Sequence, residues 1–253
     1  MLNFFTPDMK RLLLLLFLLP MVALGKVPVE DDITTKILNP ESEFYYPNLY
    51  MRFKSGDLTL SEEDYHYLYY GFAYHEDYRP LESNDAFDKL LLLASYIDPE
   101  KPEIATLEQI IIAIEEASVR DPFSPQILNL KAFAYGALGN TTQEQIAYEQ
   151  MRHIMHTIES SGDGLSQKTP CHIIMFDHAL SLMASYGLEH QRAKIISRSV
   201  EYIPLLEPRI IMQKKIKGYY FDYSRIYRNK PEGYVFKRER TWQFNNLPPR
   251  QYK

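Results

Sequence analysis

The chain has 253 residues, a formal net charge of −5 and a single cysteine, Cys171. That length suits one ordinary domain, with or without a small appendage, able to bury a core without staples, and a lone cysteine excludes an internal disulfide. A mildly acidic balance, without any motif for reading bases or phosphates, argues against a nucleic-acid partner.

The amino terminus reads as an export signal. Lys10 and Arg11 precede an unbroken apolar run, Leu12 to Leu19, and Pro20 leads into Met21-Val22-Ala23-Leu24-Gly25. The small-residue ending Ala-x-Gly places cleavage between Gly25 and Lys26, so residues 1–25 are expected to be removed. Translation starts at Met1 or at Met9, which directly precedes the basic pair. The run is shorter than the about 20 apolar residues of a membrane span, so no transmembrane segment is expected in the mature chain. No cysteine follows the run to carry a lipid anchor. The expected location is the periplasm or the cell exterior.

Residues 26–40 are polar and acidic and read as an arm. A helical part is expected over 41–164. It opens with helix-spaced aromatics around Pro47 and a turn at Ser55-Gly56-Asp57. Ser61 and Asp64 then form a capping box that starts the next helix. From there Tyr65, Leu68, Tyr69, Phe72 and Ala73 recur at the spacing of one buried stripe. Further helices are expected at 85–97, 106–120, 126–138 (ended by Gly139-Asn140) and 142–159. Beyond Gly164 the pattern changes to a helix over 179–186. β-branched and aromatic pieces follow at 199–206, 210–217 and 219–223, the signature of a small antiparallel sheet within 165–240. A further strand over 233–244 and a loose basic tail over 241–253 complete the reading. Charge is divided along the chain. Residues 26–208 carry 14 Lys and Arg against 29 Asp and Glu, and residues 209–253 carry 12 against 3. That asymmetry suggests that the basic end docks on its own acidic body or on an acidic partner such as anionic lipid or polysaccharide. A solvated, poorly ordered end is the competing reading.

Two resemblances follow from these residues. Ala117 and Pro122, then Leu128, Ala132, Tyr135, Gly139 and Tyr148, resemble a tetratricopeptide repeat, with small residues where two helices touch and a glycine at the tight turn. The likeness covers about one and a quarter repeats, so it implies a local helical hairpin rather than a solenoid. Over nearly the whole mature chain, Tyr45-Tyr46-Pro47, Tyr67-Leu68-Tyr69-Tyr70-Gly71, Asp121-Pro122-Phe123, Ser160-Ser161-Gly162-Asp163-Gly164 and Gly218-Tyr219-Tyr220-Phe221-Asp222 resemble the blocks of domain of unknown function 4919. Membership implies a Bacteroidetes-type exported protein and no assigned activity. Where the family tends to have His-Glu-Tyr, this chain has His178-Ala179-Leu180, so chemistry by that glutamate is not expected here.

Candidate chemistry is sparse. Tyr67, Tyr70 and Tyr74 line a face apart from the Tyr65–Tyr69 stripe. They read either as an aromatic binding groove or as a tyrosine core with hydroxyls at its rim. His153 with His156, and His172 with Asp177 and His178, lack the spacing of a recognised metal motif, so neither metal nor cofactor is expected. No nucleophile elbow, phosphate loop or dinucleotide fingerprint is present. Cys171 is expected to behave as a buried small hydrophobe. The expectation is an α+β, mainly α fold, with tetratricopeptide-like hairpins followed by a small antiparallel sheet. Its function would be non-catalytic interaction with a peptide, protein or glycan. The alternative is a glycan- or envelope-acting hydrolase with dispersed acids.

Overall fold

A computed structural model describes residues 26–98, 101–211 and 213–228. The proposed signal peptide, the strand expected over 233–244 and the basic tail over 241–253 lie outside the described residues. Helices fill most of the described chain: α1 (Glu30–Ile37), α2 (Tyr46–Lys54), α3 (Glu62–Gly71, continued by a 3₁₀ turn over Phe72–Tyr74), α4 (Asp85–Ser95), α5 (Ile104–Ser118), α6 (Pro125–Ala137) and α7 (Thr141–Glu159). Strand β1 (Cys171–His172), helix α8 (Phe176–Ser185), β2 (Lys194–Ile195), β3 (Val200–Ile211), β4 (Lys214–Asp222) and α9 (Ser224–Arg228) follow. The fold is α+β and mainly α.

Local chemistry starts these helices where the sequence places them. The Ser61 hydroxyl accepts from the Asp64 amide while the Asp64 carboxylate accepts from the Ser61 amide, closing the capping box of α3. Asn84, Ser124 and Asn140 cap α4, α6 and α7 through their side chains. The α6–α7 hairpin turns at Gly139, whose φ of 76° suits glycine. The arm expected over residues 26–40 contains α1, an acid-led helix that buries Ile33 and Ile37 against the body.

Helix α3 is buried on every side from Tyr65 to Gly71, because α1, α2 and α7 surround it. Its residues belong to a core cluster shared by α7 (Ile154, Ile158), α8 (Ala179, Leu182, Met183) and the sheet (Ile203, Leu205, Ile216, Phe221). Helices α4, α5 and α6 build a second cluster around Leu90, Leu107, Ile110, Ile114 and Ile127.

The sheet differs from the expected purely antiparallel one. Its order is β1-β4-β3-β2, and β1 runs parallel to β4 with Cys171 opposite Phe221. Unpaired, this edge of β4 would leave buried backbone groups without partners. The incoming segment supplies them: Ile173 donates to the Asp222 carbonyl at 3.2 Å, and Tyr220 donates to that of Gly164 at 2.7 Å. The hairpin turn also falls inside the piece read as one strand over 210–217. Gln213 takes the positive φ there, at 64°, so no glycine marks it. Gly218 lies within β4 instead, because a β-carbon would come within 2.5 Å of the Ile203 carbonyl oxygen.

Candidate functional site

The three tyrosines proposed as a groove are covered. Tyr67 is 2% exposed and Tyr70 is 0% exposed. Helix α1 lies over the first: the Tyr67 hydroxyl donates to Asp32 at 2.7 Å and accepts from Lys36 at 2.5 Å, and its ring meets that of Phe44 at 4.3 Å. Burial raises the Tyr67 pKa, and the hydrogen bond that Lys36 donates to Tyr67 raises that of Lys36. The Tyr70 hydroxyl donates to the His172 carbonyl at 3.1 Å, and the Arg225 guanidinium lies 5.0 Å from its ring centre. Tyr74 is half-buried beneath Arg228. Tyr67 and Tyr70 are therefore core tyrosines, and neither ring is free to line a groove. The arm and the chain's own α9 occupy the face that looked vacant in the helical pattern of α3.

The histidine clusters are likewise dispersed. His153 stacks on Tyr65 at 4.6 Å, and His156 approaches Glu62 at 3.4 Å. His172 faces Asp222 at 3.8 Å, whereas His178 turns the other way. Among the described residues no three metal-ligating side chains gather. Burial pushes the Cys171 thiol up to about 12, and its sulfur donates to the Gly162 carbonyl at 3.1 Å, so the group is no nucleophile.

His178 belongs to a buried chain of hydrogen bonds that links three distant segments. The Tyr69 hydroxyl lies 2.8 Å from Nδ1 of His178, and Nε2 of His178 lies 3.0 Å from the Asp121 carboxylate. The same hydroxyl accepts from the Ile174 amide at 3.4 Å. A carboxylate only accepts, so Nε2–H points at Asp121, and in that tautomer of the neutral imidazole Nδ1 accepts from the Tyr69 hydroxyl. Asp, His and a hydroxyl in line resemble a nucleophile-activating relay, but Tyr69 and His178 are fully buried. A substrate has no path to that hydroxyl, so the chain of bonds fastens α8 to the helical layer.

An accessible concavity lies elsewhere, between α6 and α7. Asn129, Ala132 and Phe133 of α6 face Thr141, Glu144, Gln145 and Tyr148 of α7 across about 390 Å³. Small residues let the two helices approach. A β-carbon on Gly136 would stand 2.8 Å from the Glu144 carboxylate, so glycine there leaves room for that acid at the rim. Tyr148 is 51% exposed and Phe133 is half-buried. Two aromatic faces, the amides of Asn129 and Gln145, and one carboxylate thus converge on one depression. Glycoside hydrolysis takes two carboxylates flanking the scissile bond, and this lining supplies only Glu144. In the sequence Tyr148 stands out only as part of the hairpin pattern. Exposed rings are unremarkable singly, and the pattern does not say that Phe133 lies opposite.

Fold and site together define a mainly helical α+β protein with a shallow aromatic and amide-lined depression on one helical hairpin. The chain belongs to the family described as Domain of unknown function (DUF4919), whose model matches residues 31–232. No curated protein and no solved structure is similar enough to match. No helix among the described residues is long and apolar enough to cross a membrane.

Proposed function

We propose that this protein is exported and acts as an interaction module, holding an extended cationic peptide segment of a partner protein between α6 and α7. The observation that carries this reading is the pairing of Phe133 and Tyr148 across a depression that also presents Asn129, Gln145 and Glu144. Aromatic rings give flat contact at low entropic cost, side-chain amides match the donors and acceptors of an extended backbone, and Glu144 favours a basic side chain.

The surroundings of Lys26 support export. Its backbone nitrogen donates to the Ser160 carbonyl at 2.5 Å, and its side chain pairs with Glu63 at 3.3 Å. Ser160 caps the C-terminus of α7. Cleavage after Gly25 would turn that nitrogen into an ammonium group at the negative end of a long helix dipole, which stabilises it. Mass spectrometry of the amino-terminal peptide after cell fractionation tests this part. The expected species begins at Lys26 outside the cytoplasm, and an intact Met1 or Met9 terminus retained in the cytoplasm refutes export.

Binding is tested on an array of short extended peptides of varied charge, comparing the wild type with Tyr148→Ala and Gln145→Ala. Wild type is expected to retain a cationic subset. Tyr148→Ala should weaken it roughly tenfold or more, as for a small-interface aromatic anchor, with an unchanged thermal midpoint because the ring is half in solvent. Retention independent of Tyr148, or none at all, refutes the reading.

A further inference from the structure

The outer half of the β3–β4 hairpin is exposed on both strands. Residues 206–211 of β3 are all exposed, and on β4 so are Lys214, Lys215 and Lys217, whereas Ile216 packs inward. In register, Ile210 opposes Lys215 and Ile211 opposes Lys214. Strand periodicity puts Ile210 with Lys215 and Lys217 on one face, and Ile211 with Lys214, Arg209 and Ile216 on the other. Ile210 is 78% exposed. Arg209 is already engaged, donating to the Tyr186 and Gly187 carbonyls at 3.1 and 2.6 Å and tying the hairpin to the end of α8. The three lysines make no ion pair among the described residues, and Glu207 is the only acid between Leu206 and Lys217.

This composition narrows the occupant. Open strand edges invite pairing with another strand, yet Pro208 removes a donor from β3, and lysines beside an edge discourage a second copy. Three lysines on an otherwise acidic body favour a negatively charged partner. Two isoleucines left in water favour a partner with an apolar phase within a few ångströms of that charge. A soluble polyanion supplies the first without the second. The surface of an anionic bilayer supplies both, since phosphates lie directly above acyl chains. We propose that the β3–β4 hairpin docks by its outer end on an anionic bilayer surface, with Ile210 from one face and Ile211 from the other entering the interface and Lys214, Lys215 and Lys217 around them meeting lipid phosphates. This surface is separate from the α6–α7 depression.

The test uses protein beginning at Lys26, which keeps every described contact, and sedimentation with vesicles of pure phosphatidylcholine or of phosphatidylcholine with phosphatidylglycerol. Binding is expected only to the anionic vesicles and should fall as salt rises. The double variant Lys214→Glu, Lys215→Glu should weaken it about tenfold or more, because each basic residue near the surface contributes several-fold. Ile210→Ser with Ile211→Ser should weaken it without altering the salt dependence. Circular dichroism and thermal melting show that each variant folds. Insertion is read directly by Ile210→Cys labelled with a polarity-sensitive dye, since the native Cys171 is buried. The expected signal is a blue shift on anionic vesicles only. Binding that survives lysine reversal would place the contact on residues 229–253 and overturn the proposal. So would equal binding to neutral vesicles, or binding that needs the lysines but neither isoleucine, as for a soluble polyanion.

Discussion

Tyr69 shows how one hydroxyl can serve two segments. It donates to His178 and accepts from Ile174, so its removal strands two groups inside the core. Tyr69→Phe keeps the ring volume and removes only the oxygen. It is expected to cost about 1–3 kcal/mol, the penalty for leaving a buried polar group unpaired, read as a lower urea midpoint at unchanged slope. A shift of a few tenths would mean that water satisfies both groups. His178 is as deeply placed, and its neighbourhood explains why sequence spacing misled. His172, Asp177 and His178 are close along the chain, but His172 begins a segment that turns into α8, and the side chains of His172 and His178 reach Asp222 and Asp121 respectively. Proximity in sequence grouped ligands that backbone geometry separates.

At the scale of elements, periodicity and caps carried far. The capping box of Ser61 and Asp64, the glycine ending α6 and the helices α4 to α7 were readable because each rests on local chemistry. Two features rest on contacts between distant segments, and these were not readable. The helix in the arm exists because Ile33 and Ile37 find a core to enter, and Tyr67 is buried because that helix arrives from 35 residues earlier to place Asp32 on its hydroxyl. The depression between α6 and α7 was half readable: the hairpin was expected, the facing of Phe133 and Tyr148 was not. The loop after α7 offers an element-scale prediction. A β-carbon on Gly162 would stand 2.2 Å from the Pro170 carbonyl oxygen, a backbone atom that cannot swing away. Gly162→Ala must push the loop off β1, where Cys171 bonds to the Gly162 carbonyl and the His172 amide to Ser161. The expected loss is about 3 kcal/mol or more, in the range of strained core substitutions, measured by thermal denaturation. An unchanged melting temperature would mean that the 162–170 loop yields freely.

Across the whole molecule the two ends of the described chain are fastened to each other over the tyrosine layer. Arg225 donates to the Pro28 carbonyl at 2.9 Å, and Arg228 pairs with Glu30. Two histidines, the buried His66 and the partly buried His172, flank this seam. Burial holds His66 down to about 4, with the nearby charges of Lys26 and Arg225 adding to the effect against Asp32. His172 is lowered by burial and by Arg225, against the opposing pull of Asp222. A histidine with a folded pKa below its unfolded value of about 6.5 takes up a proton more readily on unfolding. Stability is therefore full above about pH 6.5 and declines as pH falls towards 4, by roughly 3 kcal/mol for His66 at the lower limit. Urea denaturation at pH 7 and pH 4.5 should show the drop, and His66→Gln should flatten part of it. A flat profile in the wild type would show that both imidazoles already ionise in the folded state. The same seam dictates timing. A chain released amino end first, from a ribosome or through a membrane pore, delivers Pro28 and Glu30 nearly two hundred residues before the arginines that hold them. Once α3 has emerged, α1 can already rest on Tyr67 through Asp32, Lys36, Ile33 and Ile37, but its clasp to α9 waits for Arg225 and Arg228, so the seam is among the last contacts of the described fold to become available.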